Sequence, residues 1–183
     1  MAKGGVACYS SEFTFKSLLT QMYSIGLDLT KCPPGAHLTV EQLEEPLPDE
    51  DGDPMMAAMI ESMAAVPSSI DLIVVDAITN LASYSGERAS LSFFSSCKRI
   101  CATGKTIIVV AHSSTFDERM SVRLRSLCDG YLSLHVENVG EKLMNSLEVR
   151  KILNAERATG NVVFFEVEPG MGIRVNPYSR AKV

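Results

Sequence analysis

No apolar run in this chain of 183 residues approaches the roughly 20 needed to span a bilayer, and Met1-Ala2-Lys3-Gly4-Gly5 has no apolar signal core behind it. A soluble, intracellular protein is therefore expected. Positive charge is also short: 17 lysines and arginines stand against 22 acids, for a net charge of -5 and a pI near 5.2. That balance argues against a broad basic footprint for nucleic acid and leaves only a local patch open. The five cysteines, Cys8, Cys32, Cys97, Cys101 and Cys128, are odd in number and contain no C-x-x-C, which fits reduced thiols. Cys97 and Cys101 stand one helical turn apart with no histidine near them in sequence, and they read as small apolar fillers on a buried helix face. There is no internal repeat and no low-complexity tract. The most informative absence is G-x-x-x-x-G-K-[ST], the loop whose backbone amides and lysine cradle nucleotide phosphates.

Gly104-Lys105-Thr106 has the last letters of that pattern, but the position five before Gly104 is Arg99. The tripeptide also runs into an apolar strand, whereas a phosphate-binding loop opens a helix. It is expected to be a helix-to-strand turn capped by Gly104.

What is present alternates between two periods. Val6-Ala7-Cys8-Tyr9 predicts a first strand. Residues 14–25 predict a helix with Leu18, Leu19, Met22 and Ile25 at helical spacing, stopped by Gly26. Residues 37–40 suggest a second strand, 41–54 an acidic, proline-containing loop, and 55–66 a helix packed through methionine and alanine. The run Ile70-Asp71-Leu72-Ile73-Val74-Val75-Asp76 has the continuous apolar character of a buried parallel strand. A helix over 87–103 and a strand over 106–111 follow, and this alternation implies a parallel sheet covered on both faces. Beyond it come a short helix over 117–128 and a strand over 130–134. Runs at 147–153 and 162–167, flanking Ala158-Thr159-Gly160-Asn161, read as an antiparallel hairpin added to the sheet edge, and 173–175 suggests a last strand. Length and 46% hydrophobic content favour one α/β domain over 1–183.

Three polar clusters fall at the ends of predicted parallel strands: Ser10-Ser11-Glu12, Asp76, and His112-Ser113-Ser114. In an open α/β sheet these ends face one crevice, where ligands bind. Asp76 has the position and chemistry to hold Mg2+, a hard cation that prefers oxygen. Glu12 could orient or deprotonate an attacking water beside a γ-phosphate. His112 or Ser113 could sense that phosphate by hydrogen bonding. Plainer readings stand beside these: an aspartate ending a strand can merely cap the next helix, Glu12 precedes a helix whose dipole favours a carboxylate, and His112 can be an ordinary turn residue.

The ordered set Cys8-Tyr9-Ser10-Ser11-Glu12, Ile70 to Asp76 and Val109-Val110-Ala111-His112 resembles the RecA/KaiC-like ATPases of the P-loop superfamily. The C-terminal motifs Leu147-Glu148-Val149-Arg150-Lys151, Thr159-Gly160-Asn161-Val162, Phe164 to Pro169, Gly172-Ile173 and Ser179-Arg180-Ala181-Lys182 resemble the archaellum accessory family FlaH/ArlH. The resemblance spans essentially the whole chain. It implies a cytoplasmic KaiC-like domain that uses ATP and Mg2+ and forms a hexameric ring at the membrane. Its partners there would be the archaellum motor ATPase FlaI and the membrane platform FlaJ, and its role more regulation and assembly than power. By this resemblance Glu12 takes the place of the catalytic glutamate and Asp76 that of the Walker B aspartate. Lys151 matches the first basic residue of a K-x-R motif that reaches a neighbouring subunit's phosphate.

Two departures follow. The strand, phosphate loop and helix that precede the family's catalytic glutamate have no counterpart, and Leu153 stands where the arginine of K-x-R would be. A trans-acting arginine contributes on the order of several kcal/mol to phosphoryl transfer, so weak or absent hydrolysis is expected. The absent strand would lie between the strand ending at Ala111 and that at 131–134, so those two are expected not to pair directly. Met1 is not expected to be the natural start. The alternatives are a scaffold subunit of the same complex that binds no nucleotide, and a RadA-like recombination relative, against which the acidic balance counts.

Overall fold

The computed structural model describes residues 4–31, 37–44, 46–47, 50–139, 142–154 and 162–176. They divide into two compact units, Met1–Leu19 with Lys31–Leu127, and Thr20–Thr30 with Cys128–Val183.

The first unit contains strands β1 (Gly5–Ser10), β2 (Leu38–Gln42), β3 (Ile70–Asp76) and β4 (Thr106–Val109), with helices α2 (Asp53–Ala65), α3 (Thr79–Ser83), α4 (Glu87–Cys101) and α5 (Glu118–Leu127); α1 (Phe15–Ser24) crosses the division. The strands form one parallel sheet in the order β2-β1-β3-β4. β3 is rich in β-branched residues and sits inside the sheet between β1 and β4, which explains its unbroken apolar run. Pro54 in the first turn of α2 removes a donor that would have no partner there. Met56, Met59 and Met63 of α2 are buried with Phe93, Cys97 and Ile100 of α4 against Ala7, Tyr9, Ile73 and Val75. This face of the sheet holds the core.

α1 buries none of its residues, and Ile108 and Val110 remain exposed. The stretch 41–54 lies between β2 and α2, which take its first two and last two residues. Gly104 follows α4 with φ 95° and its N–H on the Cys101 carbonyl, which makes Gly104-Lys105-Thr106 the turn that was expected.

The second unit is an antiparallel sheet in the order β5-β6-β7-β8, formed by β5 (Gly130–Val139), β6 (Lys142–Ile152), β7 (Val162–Glu168) and β8 (Gly172–Asn176). The predicted hairpin exists as the β6–β7 pair, and its turn at Ala158 to Asn161 lies outside the described residues, as do Cys32 and Ser179 to Lys182. The pair belongs to this separate sheet and does not extend the parallel one. Among the described residues β4 is paired with β3 within its sheet and β5 with β6 within its own. Helix α1 ends in a Schellman motif: Gly26, at φ 83°, donates to the Tyr23 carbonyl, and Leu27 donates to that of Met22. Among the described residues no helix is long and apolar enough to cross a membrane.

Candidate functional site at the carboxyl edge of the parallel sheet

Strand order places the site. The chain runs from β1 out to β2, then returns across β1 to β3, so the direction of growth reverses between β1 and β3. At such a switch point the loops leaving the two strands diverge and open a crevice at the carboxyl edge. Ser10 and Asp76 are register partners at the last rung of β1 and β3, and the loops after them begin there.

Ser10 is fully buried, and its Oγ accepts the backbone N–H groups of Glu12 and Phe13 at 3.1 and 2.9 Å. This turn lifts Glu12 clear of the sheet edge. Ser11 ties the two loops together: its N–H donates to the Asp76 carbonyl at 3.2 Å, and its Oγ donates to the Ala77 carbonyl at 3.2 Å. The Asp76–Ala77 peptide is cis. On the far side the Ile78 N–H donates to the Val110 carbonyl. Thr79 Oγ1 accepts the backbone N–H of His112 at 2.9 Å and the Thr115 hydroxyl at 3.0 Å. The loop after β4 is thereby pinned to the first turn of α3.

These bonds bring Glu12, Asp76 and His112 to one edge. His112 Nε2 lies 3.7 Å from Glu12 Oε1, within ion-pair range but long for a hydrogen bond, with both side chains open to solvent. Asp76 lies deeper. Burial raises its pKa above the ordinary carboxylate value, the Glu12 charge raises it further, and His112 partly offsets both. The Cys8 thiol is raised too, by burial and then by Asp76. Ser113 follows His112 in the same loop and is exposed. Lys151 belongs to the second unit, on β6 opposite Tyr131, where its Nζ donates to the Cys128 carbonyl at 2.6 Å. Leu153 follows β6, exposed, with its N–H on the Asp129 carbonyl.

Thr79 and Thr115 are the site residues that sequence reading missed. The available signal was a threonine three residues past Asp76 at the start of a short helix, a position that places a hydroxyl beside the neighbouring strand's loop.

Among the described residues, no three of the His, Cys, Asp and Glu side chains converge as metal ligands. A closed protein cage for magnesium is therefore not formed there. The donor set does fit Mg2+ bound in the usual open manner, through one or two carboxylates and retained water. Asp76 has the character of such a ligand, because a half-buried carboxylate beside a second acid is stabilised by an added cation.

No family model matches the chain. Over 119 residues it is 34% identical to the archaeal flagellar ATP-binding protein FlaH of Sulfolobus acidocaldarius, an alignment covering 62% of this chain and 50% of that protein. The chain thus spans about half the length of the curated relative it matches. The crystal structure of the flagellar accessory protein FlaH from Methanocaldococcus jannaschii superposes with a TM-score of 0.75 at 22% identity, over 96% of this chain and 77% of that one. The chain is FlaH-like. A KaiC-like protein from Pyrococcus horikoshii superposes with a TM-score of 0.64 at 17% identity, over 95% and 76% of the two chains. These likenesses show that the FlaH-like chain has the RecA/KaiC-like α/β fold, with its parallel sheet and a separate antiparallel one.

Proposed function

We propose that this FlaH-like chain is an ATP-binding regulatory or assembly subunit of the archaellum motor complex, with weak or no hydrolysis. The observation that carries the reading is the convergence of Glu12, Asp76 and His112 at the β1/β3 switch point of a RecA/KaiC-like sheet. In this reading Asp76 holds Mg2+ through water, and the ion supplies charge to neutralise phosphate oxygens. Glu12 orients water, and His112 and Ser113 donate hydrogen bonds to a terminal phosphate. Lys151 acts on a neighbouring copy in a hexameric ring, and Leu153 offers no charge to a transition state. The partners are the motor ATPase FlaI and the membrane platform FlaJ, at the cytoplasmic side of the membrane.

The second reading is a scaffold subunit of the same complex that binds no nucleotide. Thermal shift with ATP, ADP and magnesium separates the two. The first reading expects a small Mg2+-dependent stabilisation by ATP that Asp76→Asn removes, with phosphate release at background. If the melting temperature is unmoved by nucleotide with or without magnesium, the scaffold reading replaces it. A RadA-like role would require DNA affinity falling steeply with salt.

A further inference from the structure

The two faces of the antiparallel sheet are chemically opposite. One carries the charges: Glu148 is bonded to Arg150, and Arg174 to Glu166 and Glu168. On this face Met144, Ser146 and Phe164 are nevertheless buried. The other face, set by the register of β5 to β8, carries aliphatic side chains on every strand. Leu134, Val136, Leu143, Val167, Ile173 and Val175 lie on it and are between 49% and 71% exposed. An antiparallel sheet with one wet face places its polar residues there. Here the arrangement is inverted, with the aliphatic face turned to water.

At roughly 100 Å² for each of these six aliphatics, the exposed patch is on the order of 600 Å², the upper end of what a typical monomer leaves open. Two such faces pressed together would bury on the order of 1,200 Å², the lower end of a standard specific interface. The patch also has a shaped centre. Asn145 is shorter than its neighbours, and over it Leu134 and Val136 on one side and Phe165 and Val167 on the other line a shallow hollow of about 230 Å³. An amide at the middle of an apolar face is costly to bury without a partner. A second Asn145 across a two-fold axis offers both a donor and an acceptor, as a single buried asparagine does in self-pairing helices.

From this face we infer that the second unit's sheet is a self-association surface: two copies of the chain pack face to face about a two-fold axis near Asn145. The contact is isologous and closes at two copies, and is thus distinct from a ring's head-to-tail contact. It needs neither nucleotide nor the residues at the carboxyl edge of the first unit.

Sedimentation velocity on the full chain, without nucleotide, tests it. The wild type is expected at twice the monomer mass of 19.9 kDa. Leu134→Glu and Ile173→Glu, at positions already exposed and so harmless to the fold, bury an unpaired charge only in the dimer. Each is expected to weaken association by about a hundredfold or more while leaving the circular dichroism unchanged. Asn145→Cys is expected to give a disulfide-linked dimer under mild oxidation that the wild type, with its own cysteines, does not. A mass of one copy at all concentrations overturns the proposal and assigns the face to a segment of a longer polypeptide or to another protein. A dimer that both glutamates leave intact, and that Asn145→Cys does not cross-link, overturns it as well.

Discussion

At the residue scale the site is defined by one half-buried carboxylate and the hydroxyls that hold its surroundings. Burial and the Glu12 charge make the folded state bind the Asp76 proton more tightly than the unfolded chain does. Stability from this group is therefore full at acid pH and is lost as pH rises from the ordinary carboxylate value through the raised one. Asp76→Asn is expected to stabilise the chain at neutral pH and to flatten the pH dependence between mildly acid and neutral conditions, as read by urea titration at several pH values. Magnesium should stabilise the wild type at neutral pH and leave this variant unmoved. A lower midpoint for the variant at neutral pH would show that Asp76 is a structural cap and not a ligand held ready. Ser10 acts oppositely: its buried Oγ serves two backbone donors, and Ser10→Ala is expected to cost about 1–2 kcal/mol by leaving them without it.

At the scale of elements, two glycines with similar backbone geometry make a paired test. Gly26 and Gly104 both have strongly positive φ, 83° and 95°, after the last turn of a helix. A Cβ on Gly104 would meet nothing within 4 Å, whereas one on Gly26 would lie 2.5 Å from the Gly170 carbonyl oxygen, in the turn between β7 and β8. Gly104→Ala is expected to cost about 1–2 kcal/mol of backbone strain alone. Gly26→Ala should cost more, about 2–4 kcal/mol, because backbone must move as well. Equal losses in chemical denaturation would mean that the α1 end does not rest on that turn. Elements were legible where one period ran uninterrupted. β3 was read to the residue because the unbroken apolar run Leu72 to Val75, three of its four residues β-branched, fills the middle of an interior strand and an aspartate ends it. α3 was missed because Thr79–Ser83 is too short to display a helical period. The first half of β6 and the outer half of β5 were missed because His135, Glu137, Asn138 and Asn145 interrupt the apolar pattern, and only cross-strand pairing makes those residues strand.

At the scale of the whole molecule, the first unit rests on a core centred on Phe93, which is fully buried and meets Phe94 edge-on at 5.3 Å. Phe93→Ala is expected to cost about 3–5 kcal/mol in urea unfolding, several times the effect of any single change on the exposed sheet face in a monomeric chain. A loss below about 1 kcal/mol would place the core elsewhere.

Sequence alone determined which segments are strands and helices where the period was clean, that Gly104-Lys105-Thr106 is a turn, and that Asp76 ends a strand while Glu12 and His112 each follow one. These are local properties, set by side-chain shape and by glycine's freedom at positive φ. Tertiary structure decided that β1, β3 and β4 are neighbours, which turns three separate strand ends into one edge and sets Glu12 against His112. It also decided that β5 to β8 form their own sheet, with the aliphatic face outward. Strand pairing joins residues far apart in the chain, and hydrogen bonds between backbones carry no record of it in the side chains that make them.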